Sequence, residues 1–201
     1  MLPTLLPFLL FAFVAAITPG PTNILVLSHS ARHGFKAALP IVIGACTSAA
    51  LLVMVVGSGL GQVLKTHPKI ETAMQWAGII WLSYLAWQIF RLPPERLDRP
   101  SPLQAPRLGL WGAAALQWIN PKTWMMALAV ISVFTGSGAE KTTQVMQLSL
   151  VFFLVSLPCM GAWSAVGAGS GKLLRSTAAQ TYFNRGMGLL LLCSTWLPVT
   201  V

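Results

Sequence analysis

Apolar residues in this chain run in long blocks rather than alternating or recurring along one helical face. Six blocks can be drawn, at roughly 4–29, 37–64, 72–91, 109–135, 145–170 and 183–200. Each approaches the ~20 residues that carry a helix across a bilayer. Polar residues collect in the short connections at 30–36, 65–71, 91–107, 136–144 and 172–185. The pattern predicts an all-α integral membrane protein with six transmembrane helices. No Lys or Arg precedes the first block, and the block continues past any plausible cleavage point. It is therefore expected to be a retained span rather than a signal peptide.

Two blocks are interrupted midway, at Thr18-Pro19-Gly20-Pro21 and at Asn120-Pro121-Lys122. Proline lacks the amide donor and clashes with the preceding turn. In a bilayer the freed polar groups must face protein or a watery cavity. Breaks at matching places in two halves of a membrane chain point to a transporter binding site. With three crossings per half, the second half enters the membrane in the opposite sense to the first. The prediction is one transmembrane domain over 1–201, built as two inverted three-helix repeats. Repeat one covers 1–91, a Pro- and Arg-rich linker 92–108, and repeat two 109–201, with helices 1 and 4 broken at the proline motifs. A second similarity accompanies the breaks. Val56-Gly-Ser-Gly-Leu-Gly-Gln-Val-Leu-Lys65 returns as Val166-Gly-Ala-Gly-Ser-Gly-Lys-Leu-Leu-Arg175, with five of ten positions identical. The motifs lie 110 residues apart and the prolines 19 and 121 lie 102 apart, a difference that loop length absorbs.

Composition narrows the class. The chain is 55% hydrophobic and 8% charged, whereas a soluble domain carries about 25% charged residues. Its net charge is +9, but the basic residues lie between apolar blocks and form no face for nucleic acid. Nine of the 13 Lys and Arg residues fall in the first, third and fifth connections. The positive-inside bias puts those connections in the cytoplasm and both termini in the periplasm. Cys46, Cys159 and Cys193 sit in apolar blocks without ligand spacing, so neither metal nor cofactor is expected. Gly167 to Lys172 resembles a phosphate loop but lacks its first glycine and its closing hydroxyl. Gly57 with Gly61 and Gly167 with Gly171 read instead as helix-packing pairs. Such pairs serve contacts within a subunit or between copies, which leaves a homo-oligomer open. No hydrolase or protease motif is present, and an enzyme is not expected.

The sharpest residue is Lys122. A cation inside a span costs about 3 kcal/mol or more on insertion scales unless it is paired or reaches water. The four carboxylates, Glu71, Glu95, Asp98 and Glu140, all lie in or beside connections. Lys122 either bonds carbonyls freed by the break or meets an anion from solution, such as the carboxylate of a zwitterion. The helix restarting at Pro21 offers unpaired N–H groups that favour negative charge. Thr18, Thr22, Asn23 and Asn120 add short polar groups at the same depth. Trp118 and Trp124 flank the second break and are candidates for pocket walls. His29, near the basic end of the first span, is the candidate for proton coupling.

These motifs resemble one family. Ile17-Thr-Pro-Gly-Pro-Thr-Asn23, His33-Gly-Phe35 and Asn120-Pro-Lys122 are similar in kind and order to those of the lysine exporter (LysE/RhtB) family of amino-acid efflux proteins. The similarity runs over essentially the full length and is closest in style to the cysteine/O-acetylserine and homoserine/threonine exporters. It implies a multi-pass carrier of the bacterial inner membrane that exports amino acids or their derivatives by alternating access, driven by protons. Its substrate-binding motifs map onto Thr18, Pro19, Gly20, Pro21, Thr22 and Asn23, and onto Asn120, Pro121 and Lys122. No span carries an acidic residue for a second cation, so a neutral amino acid is expected over lysine or arginine. The alternative is a carrier for an inorganic cation, against which Lys122 counts by repulsion.

Overall fold

The computed structural model describes residues 2–60, 68–94, 109–136, 140–171 and 176–200. Those residues form eight α-helices and no strand. They are α1 (Leu2–Ile17), α2 (Pro21–His33), α3 (Phe35–Val55), α4 (Pro68–Phe90), α5 (Leu110–Ile119), α6 (Pro121–Phe134), α7 (Lys141–Gly171) and α8 (Thr177–Thr200). By length and composition α3 and α7 can each cross a membrane. The pair α1–α2, bent by 54° at its break, makes a third such element among the described residues.

Both proline motifs end one helix and start another, for a local reason. The residue before a proline is pushed out of the helical region. Gly20, ahead of Pro21, is fully extended at φ −156° and ψ 176°. Asn120, ahead of Pro121, sits at φ −84° and ψ 110°. Pro40 and Pro158 lie within continuous helices, so proline alone does not decide the matter. The first break loses two donors within three residues, and the second has an asparagine that caps the new helix. Leucines precede Pro40 and Pro158 and can do neither.

The connection expected over 30–36 shrinks to one residue. α2 continues to His33, α3 starts at Phe35, and Gly34 between them takes φ 84°, a conformation open to glycine. The repeated glycine motif differs between its two copies. Val56–Leu60 unwinds into a π-helical turn with Gly59 at φ 120°, whereas Val166 to Gly171 continues α7 as regular helix. Gly61, the remainder of both motif copies (62–65 and 172–175) and most of the linker (95–108) lie outside the described residues.

The long helices α3 and α7 pack on each other at the centre. The broken pair α1–α2 lies along α7, the broken pair α5–α6 lies along α3, and α4 pairs with α8. Three apolar clusters hold this arrangement. Phe8, Leu52, Val130 and Phe152 join α1, α3, α6 and α7. Val26, Ile41, Ala113 and Met160 join α2, α3, α5 and α7. Ile24, Leu82, Leu116 and Leu191 join α2, α4, α5 and α8. Outward-facing Leu6, Val14, Ile80, Val133, Leu150 and Leu154 are more than half exposed. Apolar surface of that extent needs a lipid or protein partner.

Candidate functional site

The two breaks meet between the first and second apolar clusters. Interrupting a helix strands carbonyl groups, and each buried one needs a donor. At the first break the Thr18 hydroxyl and amide both return to Val14 O. Asn23 Nδ2 donates to Ala16 O at 2.9 Å, and Trp163 Nε1 on α7 donates to Ile17 O at 3.0 Å. The last carbonyl, that of Thr18, receives Lys122 Nζ at 2.6 Å. Lys122 thus reaches across to the opposite break, and its ammonium is held there by a neutral carbonyl.

Gly20 makes that reach feasible. A Cβ there would stand 2.8 Å from Lys122 Cδ and 2.9 Å from Nζ. Gly20 and Lys122 are also 102 residues apart, the same interval as the two prolines. Equivalent positions of the two breaks are therefore in contact.

At the second break Asn120 Oδ1 accepts from the Lys122 amide at 3.1 Å, capping α6. Its Nδ2 donates to Thr22 Oγ1 at 3.1 Å, which ties the second break to the first. Gln117 extends the link. Its Nε2 donates to Thr22 Oγ1 at 3.1 Å, and its Oε1 accepts from Thr123 Oγ1 at 2.8 Å. Trp124 Nε1 donates to Trp118 O at 2.7 Å, so these tryptophans satisfy a carbonyl of the break. α2 has no side-chain cap at its own start, since its N-cap residue is Gly20.

A cavity of about 50 Å³ lies beside this junction. Thr22, Asn23, Gln117, Asn120, Lys122 and Thr123 form its polar wall, while Cys46, Met126, Phe152 and Met160 form the apolar one. At roughly 10–15 Å³ per water-sized group, it takes about four such groups. That is close to the five heavy atoms of an amino-acid headgroup.

Of the residues expected from sequence, Thr22, Asn23, Asn120 and Lys122 line the cavity. Thr18 and Gly20 touch Lys122, Pro21 and Pro121 open the restarted helices, and Pro19 is exposed. His29 lies elsewhere, in a second cavity of about 70 Å³ with Arg32 and His33, its ring stacked on that of His33 at 4.5 Å. Gly57 sits against Val145 and Ile131. Gly167 sits against Ser30 and the carbonyl of Leu27, and Gly171 ends α7. Gln117 and Thr123 were not anticipated. A signal existed for Gln117, an amide one turn ahead of Asn120 in an otherwise apolar block. Cys46, Met126 and Met160 carried no signal, because only the fold says which apolar residues face a cavity.

The LysE type translocator family model matches residues 13–194. Cysteine/O-acetylserine efflux proteins of Escherichia coli (strain K12) and Shigella sonnei (strain Ss046) are each 29% identical over 182 residues. The aligned region covers 90% of this chain and 91% of each relative. The protein of the same description from Escherichia coli O1:K1 / APEC is 28% identical over the same length. No solved structure matches. The family match spans both proline breaks, the lysine held between them and the cavity beside them, and the chain belongs to the LysE type translocators, membrane transport proteins and not enzymes.

Proposed function

We propose that the protein is a secondary exporter of small neutral amino acids, with the cavity between the breaks as its substrate site. The observation that carries this reading is the Lys122 ammonium, inside a helix and bonded to a carbonyl rather than a carboxylate. A cargo carboxylate arriving there meets an opposite charge together with the uncapped start of α2. Carbonyls and amide oxygens of the breaks are suited to accept from the cargo's ammonium group. The apolar wall then suits an uncharged side chain, such as that of cysteine, O-acetylserine, homoserine or threonine. The names of the curated relatives support the first two.

In this reading the chain crosses the inner membrane six times, as α1–α2, α3, α4, α5–α6, α7 and α8, with both termini periplasmic. Packing supports the inversion. The first part of one broken helix, α1, shares a cluster with the second part of the other, α6, and α2 shares one with α5. Two halves inserted in opposite senses put those segments at the same depth. The two repeats then rock around the junction, and protons drive the cycle with His29 as the candidate carrier.

The test is efflux from cells loaded with dipeptides, with and without a protonophore. Lys122→Ala is expected to lower export at least about tenfold, since a charge-assisted hydrogen bond is worth about 1.5–3 kcal/mol and about 1.4 kcal/mol is a factor of ten. Export by Lys122→Ala at the unmodified rate would falsify the carboxylate contact.

A further inference from the structure

The second cavity has the chemistry of a binding site in its own right. It lies against the basic end of α2 and is walled by α2 and α4. Two of its polar atoms, Ser28 Oγ and Gln88 Oε1, are buried and have no hydrogen-bond partner among the described residues. Ser28 is 6% exposed. Buried polar atoms are paired as a rule, and unpaired ones mark a place where a partner from outside completes the set. The two orphans are complementary in kind. A serine hydroxyl can donate, whereas an amide oxygen can only accept. His29 and Arg32 line the same space, and Arg32 is anchored by a hydrogen bond from its guanidinium to Asn184 Oδ1 on α8.

We infer that this cavity is a second binding site for the zwitterionic headgroup of an α-amino acid, an entry site on the path to the central cavity. The cargo carboxylate takes the Ser28 hydroxyl on the side of the cavity that the Arg32 guanidinium makes cationic. Its ammonium group donates to Gln88 Oε1. A simple anion would satisfy the hydroxyl and leave the amide oxygen without a donor, so the pair of orphans selects a ligand bearing both charges. At about 70 Å³ the space takes roughly five water-sized groups, the count of a headgroup without its side chain. Leu25 and Leu85 line the same cavity; Leu85 belongs to the apolar cluster joining α2, α4, α5 and α8, and Leu25 packs against it. That cluster also holds Ile24, the residue next to Asn23 of the central site. Cargo moving along α2 from the basic end of the helix to its broken end therefore has to part this apolar cluster.

The inference rests on the central cavity being the transport site, and one measurement separates the two. Equilibrium dialysis of the intact protein in lipid nanodiscs against radiolabelled L-cysteine, with reductant present, gives the number of molecules bound per chain. Two are expected for the unmodified protein, one for Lys122→Ala, and one for the double variant Ser28→Ala with Gln88→Leu. Orphaned atoms support nothing in the fold, so the double variant is expected to keep or raise its melting temperature. In inside-out vesicles it is expected to raise the KM for transport about tenfold at an unchanged limiting rate. One bound molecule or none in the unmodified protein overturns the entry site, as does binding that the double variant leaves at two. Lys122→Ala binding as many molecules as the unmodified protein overturns the central reading instead. Cavities filled by water alone give the first of these failures.

Discussion

The Lys122 side chain owes its position to an absence on the opposite break. Gly20 leaves open the space through which the lysine stem runs, and any Cβ there falls within 3 Å of it. Gly20→Ala is therefore expected to move the ammonium off Thr18 O and reduce export while leaving helix content unchanged. Circular dichroism beside an efflux assay checks both halves of that statement. Gln117 is a different case, because its amide holds Thr22 and Thr123 at once in a buried setting. Gln117→Leu leaves the Thr123 hydroxyl without its acceptor and Thr22 with Asn120 alone, and is expected to cost about 1–3 kcal/mol of stability, read as a lowered melting temperature in detergent. The proline and lysine positions were legible in the chain because their effects are local: a missing donor, a displaced φ, a charge without a mate. Thr123, Cys46 and Ser28 were not legible, because their importance depends on which neighbour the fold delivers.

Glycines decide how closely the helices approach, and their environments set the outcome of substitution. A Cβ on Gly78 of α4 would stand 1.8 Å from Ile119 O, and one on Gly44 of α3 would stand 2.2 Å from Leu110 O. Backbone cannot give way by such amounts. Gly78→Val is expected to abolish the folded protein, measured as loss of the monodisperse peak in size-exclusion chromatography. Gly161 of α7 has nothing within 4 Å of its added Cβ. Gly161→Ala is expected to stabilise α7 by about 0.5–1 kcal/mol through lower chain entropy, raising the melting temperature and sparing transport. Small residues four apart in the sequence drew attention to Gly57 and Gly167. The tightest approaches of α4 and α3 to α5 fall instead on Gly78 and Gly44, neither of which has a second glycine four residues away. The breaks at residues 18–21 and 120–122 follow from chemistry carried by three or four neighbouring residues. The one-residue link at Gly34 was hidden, since polar residues from Ser30 to His33 read as a loop yet continue the helix.

For the molecule as a whole, cargo charge is the strictest expectation. A central cavity lined by Lys122 and by no carboxylate should refuse the second cation of L-lysine and L-arginine. Competition experiments in vesicles are expected to show L-cysteine export unaffected by either at tenfold excess, while O-acetyl-L-serine competes. Inhibition by L-lysine at the same concentration as L-cysteine would remove the charge argument.

The Gly34 link carries a mechanical consequence. One residue with φ 84° joins two helices of 13 and 21 residues, too short a tether for either to swing alone. Any tilt of α2 must drag the beginning of α3 along, so the helical pair acts as a single lever whose pivot is the unwound stretch at 18–20. Lengthening that tether by a few serines should uncouple loading from release, slowing turnover without weakening the grip on cargo.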